Sequence, residues 1–138
     1  MSKRRVVITG LGIVSPVGNS VAEAWSNIVA GRSGIAPITH FDVSAFASRI
    51  SGSVRNFDPK QYIPAKDIKK MDPFIHFGIA AACEAIADAG LEATEENAER
   101  IGVAIGSGIG GISSIEGGYD SYLKGGPRKI SPFFVPQS

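Results

Sequence analysis

Residues 100–111 read RIGVAIGSGIGG, and this stretch is the strongest indication of fold class in the chain. Its first half is a short apolar run of the kind that forms a strand buried within a sheet. Its second half is rich in glycine, which is typical of a tight turn at the end of a strand. The sequence therefore predicts an inner strand over 101–105 and a glycine turn, followed by a helix over 112–123.

A second segment of the same kind opens the chain. Residues 5–11 carry Val6, Val7 and Ile8 in an uninterrupted apolar run, which predicts another strand buried on both faces. Residues 32–65 contain short apolar pieces separated by prolines, and we expect short helices and irregular excursions there.

Two helices are predicted between these strands. Ser20 begins a capping box and Gly31 can end a helix, so an amphipathic helix packed on the sheet is expected between them. Asp72 is placed as the N-cap of a longer helix that starts at Pro73 and ends before Gly90. The order strand, helix, helix, strand indicates an α/β fold.

Composition narrows the function classes. A chain of 138 residues with 43% hydrophobic and 20% charged residues is the size of one globular domain, and its net charge of +1 gives no reason to expect nucleic acid or an anionic membrane as partner. The apolar run behind the basic N-terminus meets Gly10, Gly12 and Pro16 too early for a signal or membrane-spanning helix. One cysteine permits no internal disulfide and suits a reducing compartment, so the protein is predicted to be cytoplasmic.

Two glycine motifs raise the possibility of a nucleotide site. Residues 106–111 satisfy G-x-G-x-x-G, and residues 10–15 satisfy all of it except the last glycine. A dinucleotide site also needs a helix N-terminus at the pyrophosphate and an acidic residue about 20 positions further on, at the end of the next strand. Neither motif meets these requirements, so both are interpreted as structural turns.

The thiol and the imidazoles offer no catalytic group by themselves. Cys83 falls in the middle of the second helix on its apolar stripe, and we expect it to be a core residue. His76 is seven residues away on the same helix, about 10 Å along its axis, too far to act as a base for that thiol. His40 and His76 lack further ligands at metal-binding spacing, so neither a metal nor a cofactor is predicted.

Two basic clusters remain, one over Lys66, Lys69 and Lys70 and one at Arg128 and Lys129. A solvated surface is one interpretation of these residues. If the fold brings the clusters together, they form a positive surface suited to an acidic protein or a phosphate-bearing group. The residues alone leave both interpretations open.

Spaced motifs over essentially the whole chain resemble the N-terminal part of the β-ketoacyl-acyl-carrier-protein synthases, most closely the chain-elongating synthases of type II. The opening strand and turn match at 4–12 and 15–18, and the glycine turn matches at 105–108. Further matching positions lie at Trp25, Gly31, 33–35, 41–42, 70–72, 96–98 and 125–136.

This resemblance implies a thiolase-like fold, with residues 1–138 as the opening part of the first half of a layered α-β-α-β-α body that pairs into a homodimer. It implies condensation of malonyl with acyl groups delivered by acyl carrier protein, with the catalytic cysteine and histidines beyond Ser138, so that this chain alone is expected to be inactive. Ile109 and Phe134 would line the acyl pocket. The carrier protein would bind at Lys66, Lys69, Lys70, Arg128 and Lys129.

Three hypotheses follow. The first is the N-terminal portion of an elongating synthase, and the second is a non-catalytic module of the same family that binds carrier protein or pairs with another subunit. The third, a nucleotide-binding α/β domain, lacks the acidic residue that its motif requires.

Overall fold

The computed structural model describes residues 3–138, apart from the side chain of Gln137. It is an α/β structure, as the sequence predicts, in which the described residues form helices and one small antiparallel sheet. In chain order the elements are α1 Val21–Val29, β1 Ile35–Pro37, β2 Ile50–Gly52, α2 Ala65–Ile68, α3 Pro73–Ala89, α4 Ile112–Gly125 and α5 Phe134–Gln137. Three-residue 3-10 helices lie at Pro59–Gln61, Ala98–Arg100 and Pro127–Lys129.

The chain divides into two compact units. The first contains the chain up to Phe57 together with Ala80–Glu92, and the second contains Asp58–Ile79 and Ala93–Ser138. Helix α3 contributes residues to both units. The candidate binding residues of the sequence all belong to the second unit.

The ends of α1 follow the predicted signals. The Ser20 hydroxyl accepts a hydrogen bond from the Glu23 N–H at 3.3 Å, which satisfies a donor that the helix itself leaves open. The Glu23 carboxylate accepts from the Asn19 N–H at 2.8 Å, one residue earlier than in a standard capping box. Gly31 follows the helix with a φ of 66°, the left-handed conformation in which glycine is favoured.

Helix α3 also begins and ends where predicted. It starts at Pro73, a residue whose missing N–H costs nothing in the first turn. Gly90 follows it with a φ of 58°, and the Leu91 N–H donates to the Ile86 carbonyl at 3.1 Å. This bond spans the last turn and satisfies a carbonyl at the helix end.

The two predicted inner strands are not formed. Residues 5–11 and 101–105 are not strand within the described chain, and Val6 and Val103 are 89% and 82% exposed. The prediction was wrong because an apolar run becomes an inner strand only beside other strands, and no described strand pairs with either segment. The sheet lies instead in the region expected to be irregular, where Ile35 pairs with Gly52 and Pro37 with Ile50.

Helix α1 does not pack on a sheet as predicted. Its buried residue is Ala24, at 2% exposure, whereas Trp25 and Ile28 are 65% and 52% exposed. Gly18 lies directly against this alanine, since a Cβ at Gly18 would be 2.5 Å from the Ala24 backbone nitrogen. A loop backbone, not a sheet, therefore covers the side of α1 that carries Ala24.

Helix α3 packs through its alanines. A Cβ built on Gly10 would lie 2.6 Å from the Ala89 nitrogen, and one on Gly12 would lie 2.7 Å from the Ala85 nitrogen. Cys83 lies two residues from Ala85, about 200° around the helix, and is exposed, so its predicted core position was wrong.

Candidate functional site

Acidic side chains of α3 accept hydrogen bonds from backbone N–H groups of the first glycine motif, residues 10–15. Glu84 accepts hydrogen bonds from the N–H of Ile13 at 2.9 Å and from the N–H of Val21, the first residue of α1, at 2.7 Å. Asp88 accepts from the Leu11 N–H at 2.8 Å. Donors that would face a phosphate in a nucleotide site are thus bound to carboxylates of the same unit.

A carboxylate also lies at the end of the second glycine motif, residues 106–111. Gly110 has a φ of 76°, and α4 begins two residues later. The Ser114 N–H, in the first turn of α4, donates to the Asp72 carboxylate at 3.3 Å. Because the negative side chain occupies the helix start that a phosphate would need, this geometry argues against the nucleotide hypothesis.

The first basic group, here called the lysine cluster, comprises Lys66, Lys69 and Lys70 on α2 and the two residues after it. All three side chains are exposed. Lys70 forms an ion pair with Asp67, with 2.8 Å between its Nζ and the carboxylate. The positive charge of Lys70 is therefore partly compensated within the cluster.

The second basic group lies on the 3-10 helix that follows α4. Arg128 and Lys129 are both exposed there. The Lys129 side chain runs along the end of α4, since a Cβ on Gly125 would be 2.5 Å from its Cγ. Lys129 also borders an open, partly polar cavity of about 270 Å³ that Ser121 and Ser131 line as well. This group belongs to the same unit as the lysine cluster.

The predicted acyl-pocket residues differ in their surroundings. Phe134 is half-buried and lies over Gly118 of α4, where a Cβ would be 2.7 Å from its ring. It borders a mainly apolar cavity of about 260 Å³, whose other lining residues are Ile115, Gly118, Tyr119, Tyr122 and Ile130. Ile109 is 73% exposed in the glycine turn. The part played by Ile109 and Phe134 stays a prediction.

The sequence interpretation missed the apolar side of α4 that faces Phe134. Ile115, Tyr119 and Tyr122 follow the three- and four-residue spacing that places side chains on one helix face. That spacing was available from the sequence and marks the face that lines the cavity.

The sequence interpretation also missed the position of His76. Its side chain is buried, with 8% of its surface exposed, and its Nε2 lies 3.1 Å from the Ile68 carbonyl oxygen at the end of α2. No pattern of residue types predicts a contact between a ring nitrogen and a backbone carbonyl.

The described residues also bear on metal binding and on membrane insertion. Over residues 3–138 no group of three or more His, Cys, Asp or Glu side chains is placed to hold a metal ion. None of the helices in the described part of the chain has the length and apolar character needed to cross a membrane.

Comparison with known proteins adds the family context. The β-ketoacyl synthase N-terminal domain matches residues 3–138. The 3-oxoacyl-[acyl-carrier-protein] synthase 2 of Vibrio cholerae serotype O1 is 57% identical over 138 residues, which are all of this chain and 33% of that protein. The chain spans about a third of the length of the curated relatives that it matches.

Solved structures share the fold. The ishigamide ketosynthase/chain length factor superposes with a TM-score of 0.78 at 32% identity, over 99% of this chain and 34% of that one. A β-ketoacyl synthase from Burkholderia phymatum superposes with a TM-score of 0.76 at 28% identity, over 98% of this chain and 34% of that one. The predicted thiolase-like fold class is confirmed by these neighbours.

Proposed function

This chain belongs to the β-ketoacyl synthase family, and from that membership we propose that residues 1–138 form the N-terminal part of a chain-elongating β-ketoacyl-acyl-carrier-protein synthase domain. The observation that carries the proposal is the 57% identity over the whole chain to a 3-oxoacyl-[acyl-carrier-protein] synthase 2. In this proposal the condensing cysteine and histidines are supplied outside residues 1–138. Cys83 is no substitute for them, because it lies in the interior of α3 and not at a helix start, where a reactive thiolate is stabilised.

The contribution proposed for this chain is recognition of acyl carrier protein, an acidic partner. Its binding residues would be the lysine cluster together with Arg128 and Lys129. The exposure of all five basic side chains supports this role, because exposed charges steer an oppositely charged partner and set its orientation. Lys69 should matter more than Lys70, since only Lys70 has the Asp67 carboxylate beside it.

Charge reversal tests the interface. Lys69→Glu is expected to weaken acyl carrier protein binding by about 1–2 kcal/mol at low salt, because reversal replaces one surface attraction by a repulsion of similar size. Lys70→Glu should cost less, and Asp67→Asn should strengthen binding by up to about 1 kcal/mol. Calorimetric titration at two salt concentrations measures each effect, which should shrink as salt rises.

The matched control is Lys3→Glu, which changes the net charge by the same amount at an exposed lysine outside both basic groups. If Lys69→Glu and Lys3→Glu have the same effect at low salt, the partner senses only overall charge and the proposed interface is wrong.

The acyl pocket is proposed to include Phe134 and Ile109, with the apolar cavity beside Phe134 as support. Gly118→Ala would push the Phe134 ring aside and is expected to change the acyl chain lengths that the enzyme accepts. Gly117→Ala is the matched control, because a Cβ there meets no atom within 4 Å. Equal chain-length profiles for both variants would remove Phe134 from the pocket.

A non-catalytic carrier-binding or subunit-pairing module of the same family is the second hypothesis. Mass spectrometry of the polypeptide at its natural length, after incubation with acyl-loaded carrier protein, separates the two. A covalent acyl adduct supports the synthase, whereas carrier binding without an adduct supports the module. Pairing into a homodimer and a cytoplasmic location belong to the same proposal, and the single cysteine is in keeping with a reducing compartment.

A further inference from the structure

We infer that His76 is a positioning residue for the lysine cluster: its buried imidazole holds the C-terminal end of α2 and thereby fixes the place of Lys69 and Lys70. This inference rests on the proposed carrier-protein interface. His76 is buried in the first turns of α3, and its Nε2 lies 3.1 Å from the Ile68 carbonyl oxygen. Lys69 and Lys70 follow that carbonyl directly in the chain.

The direction of this hydrogen bond follows from the atoms involved. A backbone carbonyl oxygen only accepts, so the Nε2 of His76 carries the proton and donates it. The Ile68 carbonyl also accepts from the Met71 N–H at 3.3 Å, so two donors meet at the last residue of α2. The carbonyl is thereby held from both the following turn and α3.

Helix α2 needs such a hold because it is a single turn. Its four residues are fewer than an isolated helix requires, because the conformational entropy lost in forming the first turn exceeds the stabilisation from its hydrogen bonds. Its N-cap, Pro64, makes no side-chain capping bond. Ile63, just before the helix, is 4% exposed and anchors its start. At its other end, the His76 imidazole of α3 contacts the Ile68 carbonyl oxygen.

A fixed α2 matters for binding because a partner must order every side chain that it contacts. Long lysine side chains already lose freedom on binding, and a mobile backbone beneath them adds to that loss. Preorganising α2 removes the backbone part of the loss before the partner arrives. His76 is expected to act through the lysines without touching the carrier protein.

The test compares variants that keep or remove the donor, in the polypeptide at its natural length with acyl carrier protein as the probe. His76→Gln places an amide N–H near the position of Nε2 and should bind carrier protein like the wild type. His76→Met and His76→Leu fill the site without a donor and should bind about 3- to 10-fold more weakly. Circular dichroism and thermal unfolding identify which variants are folded.

A double-mutant cycle separates positioning from general structure. Lys69→Ala should lose less affinity in a folded donor-less background than in the wild type, because the lysine is no longer held in place. Equal losses in both backgrounds would overturn the inference, and so would unfolding of every donor-less variant, which would make His76 a structural residue. If Lys69→Ala has no effect even in the wild type, the proposed interface itself fails.

Discussion

Replacing Gly12 with alanine is expected to detach the first glycine motif from α3. The new Cβ would overlap the Ala81 carbonyl oxygen and lie 2.7 Å from the Ala85 nitrogen. These are backbone atoms within a helix, which cannot rotate away as a side chain can. The segment around Gly12 must therefore withdraw, and this lengthens the hydrogen bonds of the Leu11 and Ile13 N–H groups to the α3 carboxylates.

The expected loss of stability is about 2.5–6 kcal/mol. Introducing a methyl group into a tight contact costs about 1–3 kcal/mol. Losing one hydrogen bond from a backbone N–H to a charged carboxylate adds about 1.5–3 kcal/mol. Denaturant unfolding measures the total, and amide hydrogen exchange at Leu11 and Ile13 reports whether the loss is local to this segment.

The control is Gly117→Ala, in the interior of α4 where the added Cβ meets no atom within 4 Å. That change should stabilise the protein by about 0.5–1 kcal/mol, because alanine is the better helix former. A Gly12→Ala protein with wild-type unfolding free energy and unchanged exchange at Leu11 and Ile13 would refute the close-packing argument.

Two further predictions concern polar groups near chain turns. Ser20→Ala should destabilise the protein by about 1 kcal/mol in denaturant unfolding, because the Glu23 N–H loses its capping oxygen. Ser20→Thr keeps a hydroxyl at this position and should lose only a few tenths of a kcal/mol, which checks that cause. The backbone N–H of Ser44, and then its hydroxyl, donate to Asp42 and lower the pKa of that carboxyl. The stability contributed by the ionised Asp42 carboxylate is therefore present at neutral pH and is lost as the pH falls through its lowered folded-state pKa. An NMR titration of Ser44→Ala should show the pKa of Asp42 partly raised, because the backbone bond remains; an unchanged value would contradict the hydroxyl's role.

Local signals in the sequence predicted the helices well. Ser20 and Gly31 bound α1, and Pro73 and Gly90 bound α3, because each acts on backbone groups within a turn of itself. These residues need no distant partner, so their effect can be predicted from neighbours in the chain.

The strands could not be predicted in the same way. The apolar run around Val7 has the composition of an inner strand, but strand formation depends on distant segments, and within the described chain it has no paired neighbour. The packing side of α3 was also misjudged, because hydrophobicity favoured the side that carries Cys83. The contact is made instead by alanines that a glycine backbone can approach closely.

For the candidate site, the residue types predicted which side chains are exposed, but not all of the contacts that hold them in place. The lysine cluster is exposed as its charge suggests, and the exposure of Arg128 follows the same rule. The His76 hydrogen bond depends on how α2 lies against α3, which the residue types do not encode. The Asp67 ion pair with Lys70 joins residues three positions apart, so it follows from local spacing.

The carboxylates of α3 impose an order on the folding of a nascent chain. Leu11 and Asp88 are separated by 77 positions, so the N-terminal segment leaves the ribosome long before its acceptor has been made. At about 5–20 residues per second the wait is about 4–15 s. Throughout that interval the backbone N–H groups of Leu11 and Ile13 lack the α3 carboxylates that accept hydrogen bonds from them in the finished structure. The completion of α3 therefore marks the moment in synthesis at which the backbone around Gly12 first meets its hydrogen-bond acceptors.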